Sequence, residues 1–176
     1  MTKQTQQGLV VIYTGDGKGK TTAALGAVFR ALGRGLKPAV VQYIKGKWKT
    51  GERMFAETMP GLVFHTMGLG FTWESDDISR DQAAARAAWE ESKKFLASGE
   101  YGLVVFDEIT YAINYGFIPL EEVMAALTTR PTHVHVILTG RSAPEPLVAM
   151  ADLVTEMRVI KHPFAKGIPA QIGLDF

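Results

Sequence analysis

Hydrophobic residues along the chain fall into short runs of strand length, separated by longer stretches in which they recur at helical spacing. The runs are Leu9–Tyr13, Ala39–Ile44, Leu62–Phe64, Leu103–Phe106, Val134–Leu138 and a weaker one from Leu153 to Ile160. Several are continuous instead of alternating, which predicts parallel strands covered by helices on both faces. Helices are predicted over Lys20–Leu32, stopping at Gly33, from about Arg80 to Ala97, and over Leu120–Leu127. The long one carries a capping-box pattern, Ser79 with Gln82, and Gly99 beyond its last turn. Strands alternating with helices specify an α/β fold with a doubly wound, mainly parallel sheet.

The chain has 176 residues, which suits one domain over 1–176, with the polar residues 1–7 expected to be flexible. No Pro/Ser-rich linker, charge block or internal repeat divides it. The first apolar run, Leu9–Tyr13, is too short for a signal-peptide core or a membrane span, so a cytoplasmic protein with no membrane partner is expected. Lys plus Arg number 19 against 18 Asp plus Glu, a net charge of +1, which argues against a surface built for nucleic acid. The absence of cysteine excludes a disulfide scaffold, a thiolate metal site and a cysteine nucleophile.

The sharpest local signal is Thr14-Gly-Asp-Gly-Lys-Gly-Lys20-Thr21-Thr22, directly after the first strand and opening the first helix. That is the place of a phosphate-binding loop. Gly15, Gly17 and Gly19 let successive backbone N–H groups converge on phosphate oxygens, and Asp16, Lys18 and Thr22 complete the nucleotide-binding stretch. Lys20 can reach charge between phosphates, and the Thr21 hydroxyl can ligate Mg²⁺. The usual pattern has Gly five positions before the Gly of the Gly-Lys-Thr group, and Thr14 stands there, so the loop is a variant.

Leu103-Val-Val-Phe-Asp107-Glu108 is an apolar strand ending in two carboxylates. Its tip faces the same crevice as the loop in an open α/β sheet. One of Asp107 and Glu108 is expected to hold Mg²⁺, directly or through water, while the other orients that water or a neighbouring residue. Arg141, in Thr139-Gly140-Arg141 at the end of a later strand, is open to two readings: a phosphate contact on the ligand rim, or a simple surface arginine. His133 and His135 alternate with valines and are read as structural. Lys45, Lys47, Lys49 and Arg53 with Trp48 form a basic stretch read as a solvated face. Phe71 and Trp73, among glycines in Gly68-Leu-Gly70-Phe71-Thr-Trp73-Glu74, are open to two readings: loop anchors on the core, or ligand contacts.

The glycine loop, Val41-Gln-Tyr-Ile-Lys-Gly46, Gly51-Glu-Arg53, Gly70-Phe-Thr-Trp-Glu74, Asp107-Glu-Ile-Thr-Tyr111, Pro119-Leu-Glu-Glu-Val123, Thr139-Gly-Arg141, Lys161-His-Pro-Phe164 and Ala170-Gln-Ile-Gly173 occur together and in order. In this the chain resembles the corrinoid adenosyltransferases that carry a phosphate loop, over about residues 9–176. The resemblance implies a P-loop NTPase-like, RecA-like core. It also implies transfer of the 5′-deoxyadenosyl group of ATP to the Co(I) of a reduced corrinoid, with release of triphosphate. Cobalt is then the nucleophile, and the protein aligns the reactants and neutralises the leaving group. By the same resemblance Lys20 meets the departing triphosphate, and Thr21 and Glu108 hold Mg²⁺ brought with ATP. Phe71 and Trp73 would close on the lower face of the corrin ring and exclude its axial ligand. A homodimer is implied, with an electron donor such as a flavin reductase or flavodoxin. Position 16, often Asn in that family, is Asp here, expected to face away from phosphate or to pair with Lys18.

Two other classes use the same loop. A small-molecule kinase would move the γ-phosphoryl group and needs a base or an Arg clamp, neither evident. A RecA-like nucleotide-gated binding ATPase is the non-metabolic option, and the near-zero net charge speaks against nucleic acid as its partner.

Overall fold

The computed structural model describes residues 7–44, 46, 50–68 and 78–175. Phe71 and Trp73, and Lys45, Lys47, Lys49 and Trp48 of the basic stretch, lie outside the described residues, as do residues 1–6. The strands are β1 (Val10–Thr14), β2 (Pro38–Gln42), β3 (Val63–Thr66), β4 (Leu103–Asp107), β5 (His135–Thr139) and β6 (Leu153–Glu156). They form one six-stranded sheet in the order β3-β2-β4-β5-β1-β6, and every pairing is parallel. The expected α/β class and parallel sheet are therefore present. The loop-bearing strand β1 and the carboxylate-bearing strand β4 are not neighbours, because β5 lies between them, an order that fits a RecA-like core.

The helices are α1 (Lys20–Gly33), α2 (Gly51–Ala56), α3 (Ile78–Ser98), α4 (Ile109–Asn114), α5 (Leu120–Thr129) and α6 (Glu145–Met150). Successive side chains of a strand point to opposite faces, so each buried strand supplies two layers of core. Val40, Leu103, Val105 and Ile137 meet Ala24, Val28 and Ala31 of α1 on one side. Ala39, Val41, Val104, Phe106, Val136 and Leu138 pack on the other with Ala85, Ala88 and Trp89 of α3 and with Val123 and Leu127 of α5. This double coverage is why the sequence shows unbroken apolar runs. No described helix is long and apolar enough to cross a membrane.

The three six-residue helices α2, α4 and α6 have no counterpart in the sequence reading, since one and a half turns are too short to establish a period. Ser79 falls inside the first turn of α3, not ahead of it, so the expected capping box is displaced; Gly99 follows the helix in a left-handed conformation, as expected. Strand β2 stops two residues short of Ile44 because its partner β4 ends at Asp107, opposite Gln42. Strand β6 ends at Glu156 and is exposed throughout, as suits a sheet edge, and this accounts for its weak apolar signal.

Candidate functional site

At the carboxyl end of the sheet, β1 turns through residues 15–19 into α1. The first helical hydrogen bond runs from Ala23 N–H to Gly19 C=O at 2.7 Å, which leaves the N–H groups of Lys20, Thr21 and Thr22 at the open end of the helix. The first turn of α1 carries no acidic residue to offset the positive end of its dipole. Lys20 is buried, and its ammonium donates to the carbonyls of Gly15 at 2.7 Å and Gly17 at 2.8 Å. Burial pushes Lys20 below the ordinary lysine range, opposed chiefly by the nearby Glu108 carboxylate.

The loop is braced from behind by the chain leaving β6. Gly17 N–H donates to Met157 C=O at 2.7 Å, and Met157 N–H donates to Thr14 C=O at 2.8 Å. A β-carbon on residue 17 would lie 2.7 Å from the Met157 carbonyl oxygen, so only glycine fits there. Gly17 N–H is thus committed to Met157, and the amide convergence expected of the whole loop is left to the residues that follow.

The two carboxylates at the end of β4 point different ways. Asp107 is buried; Oδ1 accepts from the Thr21 hydroxyl at 2.8 Å and the Thr139 hydroxyl at 2.7 Å, and Oδ2 accepts from Gln42 Nε2 at 2.9 Å. Three neutral donors therefore hold a buried carboxylate in one orientation. Glu108 adopts a left-handed backbone, φ +64°, and its N–H donates to the Thr139 hydroxyl at 2.9 Å. That turn brings Glu108 onto the wall of a cleft of about 720 Å³, shared with Lys18, Lys20, Thr21, Thr22 and Arg141, while Asp107 stays behind it.

Arg141 Nε lies 3.9 Å from Asp16 Oδ1 on this cleft. Lys18 forms its ion pair with Asp175 instead, so the expected pairing of Asp16 with Lys18 is replaced by one with Arg141. His162, Gly173, Leu174 and Asp175 of the C-terminal stretch line the same cleft, and so does Tyr111 of α4, whose hydroxyl is pushed up by burial and by Glu108. The sequence patterns assign no role to any of these, nor to Gln42, Thr139 or Met157. Gln42 left one signal, a lone amide closing an otherwise apolar strand. The imidazole of His133 bonds the Gly99 carbonyl at 3.0 Å, and His135 Nδ1 accepts from Leu9 N–H at 3.1 Å, so both histidines are structural as expected.

The site therefore combines a glycine-rich turn at a helix N-terminus, a buried lysine on that turn, and a threonine oriented by a buried aspartate, with a glutamate and an arginine on the facing wall. The family model for the ATP:corrinoid adenosyltransferases BtuR/CobO/CobP matches residues 6–176. The corrinoid adenosyltransferase CobA of Salmonella typhimurium is 46% identical over 173 residues, 98% of this chain and 88% of that protein. The corrinoid adenosyltransferases of Escherichia coli K12 and a Sinorhizobium species are 45% and 48% identical, over 98% and 99% of this chain and 88% and 83% of theirs. Matched along nearly its whole length, this chain belongs to the ATP:corrinoid adenosyltransferase family.

Proposed function

We propose that the cleft holds the triphosphate of ATP against the loop and α1, so that the 5′ carbon meets Co(I) of a reduced corrinoid and the 5′-deoxyadenosyl group passes to cobalt. The carrying observation is the buried Lys20 ammonium on the loop carbonyls, beside the uncapped end of α1. The bond that breaks joins C5′ to the triphosphate oxygen, and its electron pair leaves with the triphosphate. Catalysis therefore depends on lining up the partners and stabilising charge on the leaving group. Lys20, the amides of Lys20 to Thr22 and Arg141 are the donors for that charge. Asp16 holds Arg141 on the cleft rim until phosphate competes for it.

The oxygen donors on the cleft fit Mg²⁺, which takes one or two protein oxygens and completes its shell with phosphate and water. Thr21 and Glu108 would hold it, with Asp107 orienting Thr21, and the ion when bound would neutralise triphosphate charge. Phe71 and Trp73 are proposed on the family resemblance to close on the corrin ring. A homodimer is supported by exposed apolar side chains along the β6 edge and the C-terminal stretch, among them Leu153, Ile160, Phe164 and Leu174. A flavin reductase or flavodoxin as electron donor follows from the same resemblance.

Anaerobic incubation with Mg-ATP and chemically reduced corrinoid tests this reading. The cobalt–carbon product is followed by absorbance and the phosphate product by chromatography, with adenosylcorrinoid and triphosphate expected in equal amounts. ADP, or triphosphate without adenosylcorrinoid, would overturn it.

A further inference from the structure

The structure assigns Thr139 as a positioning residue that sets both oxygen donors of the cleft through one hydroxyl. Thr139 ends β5, is fully buried and does not reach the cleft wall. Its Oγ1 donates to Asp107 Oδ1 at 2.7 Å and accepts from Glu108 N–H at 2.9 Å. The first bond fixes the carboxylate that orients the Thr21 hydroxyl. The second bridges to the left-handed residue whose backbone aims Glu108 into the cleft. A non-glycine residue keeps that conformation only where its surroundings over-determine it, and the Thr139 hydroxyl is one such determinant.

The end of β5 is itself fixed. Gly140 has φ +139°, and a β-carbon there would lie 2.0 Å from Thr110 Oγ1, which donates to Arg141 C=O at 2.7 Å. The backbone that follows Thr139 thus has little freedom to move with a displaced hydroxyl. The Thr21 hydroxyl reaches Thr139 through Asp107, and the Glu108 N–H reaches it directly, so both donors depend on one hydroxyl. Losing that single oxygen disturbs the two donors together, while Lys20 and its loop carbonyls stay in place.

This inference rests on the reading of Thr21 and Glu108 as the Mg²⁺ donors, and the test separates the two. Thr139→Val keeps the shape and removes both hydrogen bonds, Thr139→Ser keeps the hydroxyl, and Glu108→Gln reports on the donor reading itself. Each variant is measured for the Mg²⁺ concentration at half-maximal rate. Without corrinoid, each is also measured for Mn²⁺ affinity in the presence of ATP, by paramagnetic resonance, and for melting temperature. Loss of a group that orients a metal ligand costs about 10–100-fold in metal affinity. Thr139→Val is expected to weaken Mn²⁺ binding and raise the Mg²⁺ requirement by that factor, with Thr139→Ser near the parent. A lowered melting temperature with parental Mn²⁺ affinity in Thr139→Val, while Glu108→Gln weakens it, would make Thr139 a packing residue and overturn the inference alone. Parental affinity in Glu108→Gln would instead overturn the donor reading. Thr139→Ala serves if the valine methyl prevents folding, and failure of both to fold would also overturn a positioning role.

Discussion

Two carboxylates in this protein each gather several donors, and they are built on opposite plans. Asp107 is buried at the carboxyl end of the sheet and accepts from two hydroxyls and an amide, with no cation among the donors. Glu122, near the start of α5, is partly exposed and receives a forked contact from Arg86, at 3.1 and 3.3 Å, together with Trp89 Nε1–H at 3.0 Å. The guanidinium holds Glu122 below the ordinary carboxylate range. Trp89 is fully buried between the helices and the sheet, edge-on to Phe106 with ring centroids 6.0 Å apart. The Glu122 network thus satisfies the one polar atom of a core aromatic and serves stability. The Asp107 network holds one of its three donors, Thr21, on the cleft wall and serves position. Hydrogen bonding alone does not mark a functional carboxylate; the difference is that Asp107 holds a side chain beside the glycine loop, while Glu122 holds the ring of a core tryptophan.

That contrast fails if damage to one region shows up in the other's measurement. Lys20→Ala is expected to give the largest functional effect, a 10²–10³-fold loss of rate, because removing one preorganised charge contact costs about 2.7–4 kcal/mol in the transition state. Its melting temperature should change little, and parental turnover in the folded variant would remove Lys20 from the site. Trp89→Ala should do the reverse. Truncating a core aromatic costs about 3–5 kcal/mol, or roughly 10 °C in a domain of this size, measured by calorimetry. Its activity per folded molecule should stay near the parent's, and a specific loss of rate would mean that α3 also shapes the cleft.

Asp107→Asn stands between these. Its amide sets a donor against Gln42 or against the two hydroxyls, which costs about 1–3 kcal/mol in denaturant unfolding. The Mg²⁺ requirement should rise as well, because Thr21 loses its acceptor; a stability loss without that rise would place Asp107 with Glu122. The smallest effect concerns His135. Burial, and then Arg130, hold its imidazole below the usual histidine range, and the neutral ring accepts Leu9 N–H. The unfolded chain therefore binds this proton more readily than the folded one, so the contribution is fully present above about pH 6.5 and fades as pH falls below it. Urea unfolding at pH 7.5 and pH 5.5 should show lower stability at the acid value, with the difference reduced in His135→Gln. An unchanged difference would assign the pH dependence elsewhere.

The parts of the site that are contiguous in the chain were legible from it. The order strand, glycine loop and helix places residues 15–22 at a helix N-terminus, and an apolar run ending in Asp107-Glu108 places carboxylates at a strand tip. The long helix and the five stronger apolar runs were legible for the same reason, since a period declares itself within one segment. The six-residue helices were not, and neither was the bracing of the loop by Met157, which joins the loop only after the chain has crossed the whole sheet.

What the sequence determined by itself is the fold class, the phosphate loop and its lysine, and the pair of carboxylates opposite, because each depends on residue types at fixed local spacing. Which carboxylate reaches the cleft, the meeting of Asp16 with Arg141 and not Lys18, and the hold of Gln42 and Thr139 on Asp107 are set by the folded chain. Asp107 draws its partners from 86, 65 and 32 residues away along the chain. The register of β2 against β4, and the insertion of β5 between β4 and β1, set which side chains meet at the strand ends. A shift of one residue in either pairing would turn each of them to the opposite face, and register is a property of the assembled sheet.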